Sequence, residues 1–348
     1  MFSNMCKNLI NNCEKNLLLN TSCHLEGELK MSGKAQTKNR YMRMKEITHE
    51  DYLEFIKDKT SVMIENVEIK LQKNWKIKSY GPPQNYIPER TTVWSFPDRG
   101  DWATHKGDYR GNWSPYIPRN LILKYTQKGD WVLDQMMGSG TTLVEAKLLE
   151  RNAIGVDINL DAVMVARDRL NFSYNPLTDY KEPIIKTYWG DARNLDKIDD
   201  ESIDLVATHP PYASIITYTR SKEHNGDLSR LPFNDYLKEM RKVAEESFRV
   251  LKPGKVCAIL IGDTRKHKHY VPIAFRVMQA FLDVGFILKE DIIKLQWNMK
   301  STRERWRAKE YEFYLIAHEH IFVFRKPENE KEYKKYKFSV RWWEDGQI

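Results

Sequence analysis

Long apolar runs are absent: the longest, such as 17–19 and 256–261, fall far short of the ~20 residues that a membrane-spanning helix needs. The first thirty residues also lack the apolar core of a secretory signal, so neither a membrane role nor export is expected. Cysteine is scarce. Of four, Cys6, Cys13 and Cys23 stand near the N-terminus and Cys257 lies in an apolar run, without CxxC spacing. That usage excludes a disulfide framework, gives no zinc pattern and suits a reducing cytosol, with Cys257 as a buried small apolar residue. No internal repeat is visible. Excess charge of one sign is small, 56 Lys plus Arg against 48 Asp plus Glu, or +8. This permits a polyanionic partner without requiring one. What is present, 348 residues with 41% hydrophobic and 12% aromatic content, suffices for one or two domains with a sizeable core and excludes a disordered chain.

Four regions follow from the pattern. Residues 1–45, rich in Asn, Lys and Ser without a period, read as a disordered tail, and residues 1–30 could precede the native start at Met31. Residues 46–93 read as an N-terminal helical segment: THED at 48–51 is a capping box opening a helix to Ile56, and a second helix is expected over 60–75. Residues 94–327 form the main domain, and 328–348 a C-terminal extension. Within 80–118, Trp94, Phe96, Trp102, Trp113 and Tyr116 sit among ten prolines and glycines, so this irregular stretch packs against either the core or a ligand. Farther on, apolar runs at 131–133, 153–156, 184–188, 203–207, 256–261, 286–293 and 321–324 alternate with helical patterns at 141–150, 160–170, 233–250 and 272–283. The alternation predicts an α/β fold, a Rossmann-like, mostly parallel seven-stranded sheet with helices on both faces.

The first of these runs ends in Asp134, Gln135, Met136, Met137, Gly138, Ser139, Gly140, Thr141, Thr142, and a helix follows at once. A glycine-rich turn between a first strand and its helix is where α/β folds bind a cofactor. A nucleoside triphosphate loop would need a Lys before Thr141, and a dinucleotide loop a glycine where Leu143 stands. A third reading, an S-adenosylmethionine loop, wants an acidic residue ending the next strand to accept hydrogen bonds from both ribose hydroxyls, and Asp157 in AIGVD stands there. Asp191, after the third run, could accept the adenine amino group or be a plain turn carboxylate.

The fourth run ends in Thr208, His209, Pro210, Pro211, Tyr212. Paired prolines stop ladder pairing and stiffen the chain. Such a corner suits an exocyclic amine: His209 and the Pro210 carbonyl would accept its N–H groups and Tyr212 would stack on the ring. Hydrogen bonding of that kind localises the nitrogen lone pair toward an electrophilic methyl group.

In order, VLDQMMGSGTTLVEA, AIGVDIN and ATHPPY resemble the amino-directed DNA methyltransferases that modify N6 of adenine or N4 of cytosine, over about residues 94–327. Against the family's DPFxGSGTT loop, Asp134, Gly138, Ser139, Gly140, Thr141 and Thr142 match while Gln135 and Met136 depart. The resemblance implies S-adenosylmethionine as cofactor, held by Asp134, Met136, Gly138, Ser139, Gly140, Thr141, Asp157 and Asp191, with no metal. It also implies a reversed last strand at 321–324, LKPGK at 251–255 as the turn into the fifth strand, and residues 113–120 beside the methionine carboxylate. Its catalytic corner maps to His209, Pro210, Pro211 and Tyr212. The departure is His209, where adenine enzymes mostly carry Asp or Asn and cytosine enzymes Ser after Thr. ATHPPY stands nearer the cytosine version, so N4 of cytosine is placed ahead of N6 of adenine. As only a neutral imidazole accepts, activity is expected to fall below about pH 6.5; the alternative is that His209 merely packs while Thr208 or the backbone acts.

A base inside a duplex must be flipped to reach such a corner. Expected contacts to double-stranded DNA are Tyr218, Arg220 and Lys222 in the loop after Tyr212, and Arg303, Arg305 and Arg307 in a second cluster, although Glu304, Glu310 and Glu312 interleave there as on a solvated helix face. No separate recognition domain is inserted between the glycine loop and PPY, and a partner restriction endonuclease would be another chain. Target sequence and oligomeric state stay open, and a cytoplasmic, nucleoid-associated location is expected. Same-fold alternatives are an RNA-base or protein-glutamine methyltransferase; a different class is a non-catalytic nucleic-acid-binding relative.

Overall fold

The computed structural model describes residues 40–176, 179–213, 226–297 and 312–341. Strand β1 (Lys45–Glu46) is the first strand among the described residues and straddles the expected end of the tail. Met44 is buried there, and the Asp196 carboxylate accepts its N–H at 2.9 Å. Helix α1 (His49–Asp58) starts on the foreseen capping box: Thr48 Oγ1 accepts the Asp51 N–H at 3.2 Å and the Asp51 carboxylate accepts the Thr48 N–H at 2.8 Å.

The helix expected over 60–75 is instead a hairpin of β2 (Ser61–Ile64) and β3 (Val67–Lys70). Glu65 and Asn66 both have positive φ, 50° and 65°, the backbone of a two-residue turn whose twist matches paired strands. In each strand alternate residues, Val62, Ile64 and Ile69, are buried. Segment and helix dock on the main domain through Asp168, whose carboxylate accepts the Tyr52 hydroxyl at 2.7 Å and the Gln72 N–H at 2.9 Å.

The remaining elements are β4 (Val93–Trp94), α2 (Tyr116–Tyr125), β5 (Trp131–Asp134), α3 (Thr141–Leu148), β6 (Asn152–Asp157), α4 (Leu160–Leu170), β7 (Ile185–Trp189), β8 (Ile203–Thr208), α5 (Phe233–Val250), β9 (Leu251–Ile261), β10 (Thr264–Lys266), β11 (His269–Val271), α6 (Ile273–Val284), β12 (Ile287–Leu295), β13 (His318–Arg325) and α7 (Glu330–Lys335). The main sheet has the order β1-β7-β6-β5-β8-β9-β13-β12-β4 among the described residues. Its inner strands are the seven foreseen runs. Strands β7, β6, β5, β8 and β9 pair in parallel, and β13 lies antiparallel to both neighbours, the reversed last strand. The two flanking edge strands, β1 and β4, went unforeseen. LKPGK falls inside β9, where pairing with β8 jumps from Leu251 to Val256, so it is a bulge within a strand.

Alternation along the strands sends side chains to two cores. Val132, Leu205, Ala207, Ala258 and Leu260 meet residues of α1 to α4, while Leu133, Val206, Cys257, Ile259 and Ile261 meet α5 and α6. Both faces of the sheet are therefore covered, which is why its strands read as continuous apolar runs. Strand order reverses between β5 and β8, and at such a point the loops leaving the carboxyl ends part to leave a crevice.

Candidate active site

After Asp134 the chain turns through Gly138 and Gly140, both left-handed at φ 50° and 81°. A Cβ on Gly138 would lie 2.9 Å from the Tyr109 ring, and one on Gly140 2.9 Å from Ala166 Cβ on α4. Only glycine passes between these neighbours. The Met137 N–H donates to the Val156 carbonyl at 3.0 Å and the Gly138 N–H to the Asp157 carboxylate at 2.9 Å, tying the loop to the end of β6.

Beside this loop, at the carboxyl ends of β5 to β8, lies a cleft of about 800 Å³ including its open mouth. Of the expected cofactor residues, Asp134, Met136, Gly138, Ser139, Asp157 and Asp191 line it. Gly140 and Thr141 do not border it: Gly140 permits the turn, and the Thr141 hydroxyl bonds to the Asn112 carbonyl oxygen. Asp227 adds a fourth carboxylate to the wall, and no Lys or Arg lines the cleft among the described residues. An acidic pocket in a chain of charge +8 repels phosphate and suits a cationic ligand. Burial pushes the carboxyls of Asp134 and Asp157 up to about 6. Asp134 accepts the hydroxyls of Thr142 at 2.5 Å and Thr208 at 2.8 Å, strapping β5 to α3 and β8. The Asp191 carboxylate is held by the Arg193 guanidinium at 2.6 and 2.8 Å.

At the other end of the cleft stand His209 and Pro211; Pro210 is buried and does not border it. The Tyr236 hydroxyl donates to the Pro211 carbonyl at 2.9 Å, fixing the corner to α5. His209 lies over Trp113, ring planes 25° apart and centroids 6.1 Å apart. Its Nε2 is 2.9 Å from the Tyr212 hydroxyl, which donates to Glu319 Oε1 at 2.9 Å. Burial pushes the His209 imidazole down to about 4, with the Glu319 carboxylate opposing. The expected loss of activity below about pH 6.5 therefore has the wrong titration point: an enclosed imidazole sheds its proton far below the reference value. Thr208, bonded to Asp134 and fully buried, does not border the cleft, so the alternative in which it acts on substrate has no support here.

Of residues 113–120, only Trp113 borders the cleft; the wall is completed by Tyr109, Gly111 and Asn112 just upstream. The rest packs as α2 behind the loop. Most aromatics of 80–118 thus serve the core. Its anchor is Glu145 of α3, fully buried, which accepts from Trp102 Nε1 at 2.7 Å and Arg119 Nη1 at 2.8 Å and bonds His105 Nε2 at 2.7 Å. Burial alone would raise the Glu145 carboxyl, but His105 and Arg119 outweigh it and hold it below its ordinary value.

All six expected nucleic-acid contacts, Tyr218, Arg220, Lys222, Arg303, Arg305 and Arg307, lie outside the described residues. A described basic element was missed. The β10–β11 hairpin, TRKHKHY, turns through His267 and Lys268 at φ 51° and 68° and carries Arg265, Lys266 and Lys268. It follows β9 after Gly262, where a Cβ would lie 3.1 Å from the Tyr212 ring; Arg265 donates to the Lys268 and Tyr314 carbonyls at 3.1 and 2.8 Å, and Lys268 pairs with Glu312 at 3.3 Å.

Comparison with known proteins bears on the same residues. A family model described as DNA methylase matches 7–168 and 203–347, and a second, described as an RMKL-like methyltransferase domain, matches 121–249. Similar curated proteins include a tRNA (guanine(10)-N2)-dimethyltransferase of Methanothermobacter thermautotrophicus, 36% identical over 30% of this chain and 29% of that protein. Two others are Type II methyltransferases: M2.MboI of Moraxella bovis, 31% identical over 28% of this chain and 33% of its own length, and M.MthZI of M. thermautotrophicus, 29% identical over 46% and 51%. The chain thus spans from under a third to about half the length of these relatives. A solved SAM-dependent methyltransferase of Methanosarcina mazei aligns with a TM-score of 0.41 at 16% identity, covering 60% of this chain and 97% of the other. With the first family model matching most of its length, the chain belongs to the DNA methylase family.

Proposed function

We propose that this protein moves a methyl group from S-adenosylmethionine to the exocyclic amine of a base flipped out of double-stranded DNA. The observation that carries this reading is the cleft itself: four carboxylates and, among the described residues, no lining cation, beside a glycine loop and a histidine-proline corner. The residues fit the cofactor. Asp157, ionised, would accept the ribose hydroxyls; Asp191 would meet the adenine amino group; the backbone around Gly138 would face the methionine part. When bound, S-adenosylmethionine supplies an electrophilic methyl group on a cationic sulfur.

The chain's own residues would do the rest. His209 accepts an N–H of the target amine and, with the rigid turn at Pro210 and Pro211, holds its lone pair in line with the donor. Tyr212 walls the flipped base, whose extraction costs a few kcal/mol. Arg265, Lys266 and Lys268, with the basic loops foreseen from the sequence, would contact phosphates. N4 of cytosine is placed ahead of N6 of adenine on ATHPPY alone. A separately encoded restriction endonuclease would be a companion, not a part, of this chain.

A second reading is transfer to an RNA base, favoured by the similarity to tRNA (guanine(10)-N2)-dimethyltransferases, whose named target is also an exocyclic amine. Transfer of label from S-adenosylmethionine to DNA and to tRNA, side by side, separates the two: label only in RNA would replace the DNA reading.

A further inference from the structure

Behind the proline corner, three strand ends contribute a chain of four polar groups. Lys294 of β12 donates to Glu319 Oε2 at 2.8 Å, Tyr212 donates to Glu319 Oε1 at 2.9 Å, and His209 Nε2 lies 2.9 Å from the Tyr212 oxygen. Lys294 and Glu319 are opposite residues of the β12–β13 ladder, so their pairing follows from register. The extension to Tyr212 and His209 does not. It joins β13 to a residue 107 positions away in sequence.

The protons in this chain can be assigned. Burial alone would raise the Glu319 carboxyl, yet Lys294 and the neighbouring donors hold it below its ordinary value, so it is a carboxylate and only accepts. A phenol has one hydrogen. With that hydrogen on Glu319, the Tyr212 oxygen can only accept from His209, and Nε2 must carry the imidazole proton. Nδ1 is then left with its lone pair. Nδ1 is enclosed and makes no hydrogen bond within the described residues, while the ring lines the cleft beside Gly111, whose backbone carbonyl is the competing acceptor at the imidazole.

We propose that Glu319, acting through Tyr212, fixes His209 as the Nε2–H tautomer, so that Nδ1 is the acceptor for an N–H of the substrate amine. Glu319 is a positioning residue. The assignment rests on the methyl transfer proposed above, and it gives Tyr212 a second duty, as the link that sets the tautomer. It also answers why histidine can stand where a carboxylate, amide or hydroxyl is the rule: a one-way chain of donors gives the imidazole a fixed accepting face. The described charged groups around the imidazole are Glu319 and Lys294, of opposite effect; burial outweighs both Glu319 and the Gly111 carbonyl and keeps the ring neutral.

The test is Glu319→Gln in the full chain. Lys294 continues to donate to the side-chain oxygen, the new amide N–H donates to Tyr212, the phenol hydrogen turns to His209 Nε2, and the imidazole proton moves to Nδ1. Nitrogen-15 NMR of histidine-labelled protein, with His209→Gln to assign the signal, reads the tautomer without cofactor or substrate. We expect Nε2–H in the unmutated chain and Nδ1–H in the variant. Methyl transfer should then fall by roughly 10²–10⁴-fold with cofactor affinity unchanged, an isosteric swap that imposes the wrong tautomer costing about 10⁴ in the serine-protease triad. The same tautomer in both proteins, or Nδ1–H in the unmutated one, overturns the proposal. The tautomer is read in the free protein, so it decides the relay by itself, whereas an unmutated chain that labels no nucleic acid would count against the proposed function instead.

Discussion

Asp157→Asn is the perturbation whose consequences can be worked furthest. The carboxylate already accepts two backbone N–H groups, from Gly138 at 2.9 Å and Asn159 at 2.8 Å, and would accept the two ribose hydroxyls with its remaining lone pairs. An amide keeps the shape but turns one acceptor into a donor, which faces an N–H. Hydrogen bonds to charged groups contribute about 1.5–3 kcal/mol each. Losing one to two of them at the ribose predicts a dissociation constant for S-adenosylmethionine weaker by roughly 10–10³-fold at pH 7.5, read by isothermal titration calorimetry. The pH dependence has a definite sign. The folded-state value, about 6, lies above the ordinary ~4, so protonation begins as pH falls through 6 and removes the acceptor. In the unmutated protein affinity is flat above pH 7 and weakens about tenfold per unit below 6. In Asp157→Asn that slope is reduced to what Asp134, also pushed up to about 6, contributes. Equal affinity in the two proteins, or an unmutated protein that binds equally from pH 8 to pH 5, would refute the assignment.

Three further outcomes follow from other parts of the structure. Glu145→Ala strands the donors of Trp102, His105 and Arg119 in a buried site and should cost about 3–5 kcal/mol in urea unfolding; a loss under 1 kcal/mol would show that the network is not the anchor of the aromatic connection. Gly140→Ala forces a side chain at φ 81° and a Cβ 2.9 Å from Ala166, so stability should drop by roughly 2–4 kcal/mol and cofactor affinity with it. If affinity held while stability fell, the loop would not be shaping the cleft. At saturating cofactor, turnover should stay level from pH 8 down to about 5, because His209 gains its proton only near 4; a half-loss at pH 6.5 in stopped-time methylation assays would restore an ordinary imidazole.

The sheet was legible because its strands are covered on both faces and so read as apolar runs between glycine and proline stops, and the loop because a turn that narrow excludes every residue but glycine at 138 and 140. What escaped was decided by tertiary contact or by short range. The β2–β3 hairpin consists of two four-residue strands around Glu65 and Asn66, too brief for a period of two to stand out from one of 3.6. Edge strands β1 and β4 have two residues each and exist only because β7 and β12 offer free edges. Tyr109, Gly111 and Asn112 line the cleft from an irregular segment with no periodicity at all. Glu145 and Glu319 went unremarked in sequence because their partners lie 26 to 43 and 25 to 107 positions away. His209 was recognisable as a departure, but its titration point depends on enclosure by Trp113 and Tyr212 that no local pattern records.

The central claim is methyl transfer to a DNA-base amine at the His209–Tyr212 corner. Its most direct test is tritium transfer from labelled S-adenosylmethionine to mixed genomic DNA, with digestion and nucleoside chromatography, beside the Tyr212→Ala variant. The account predicts label in N4-methylcytosine or N6-methyladenine with the unmutated chain and a loss of at least about 10²-fold in the variant, on the scale of removing one transition-state contact. No label in DNA from a preparation that binds the cofactor would contradict it.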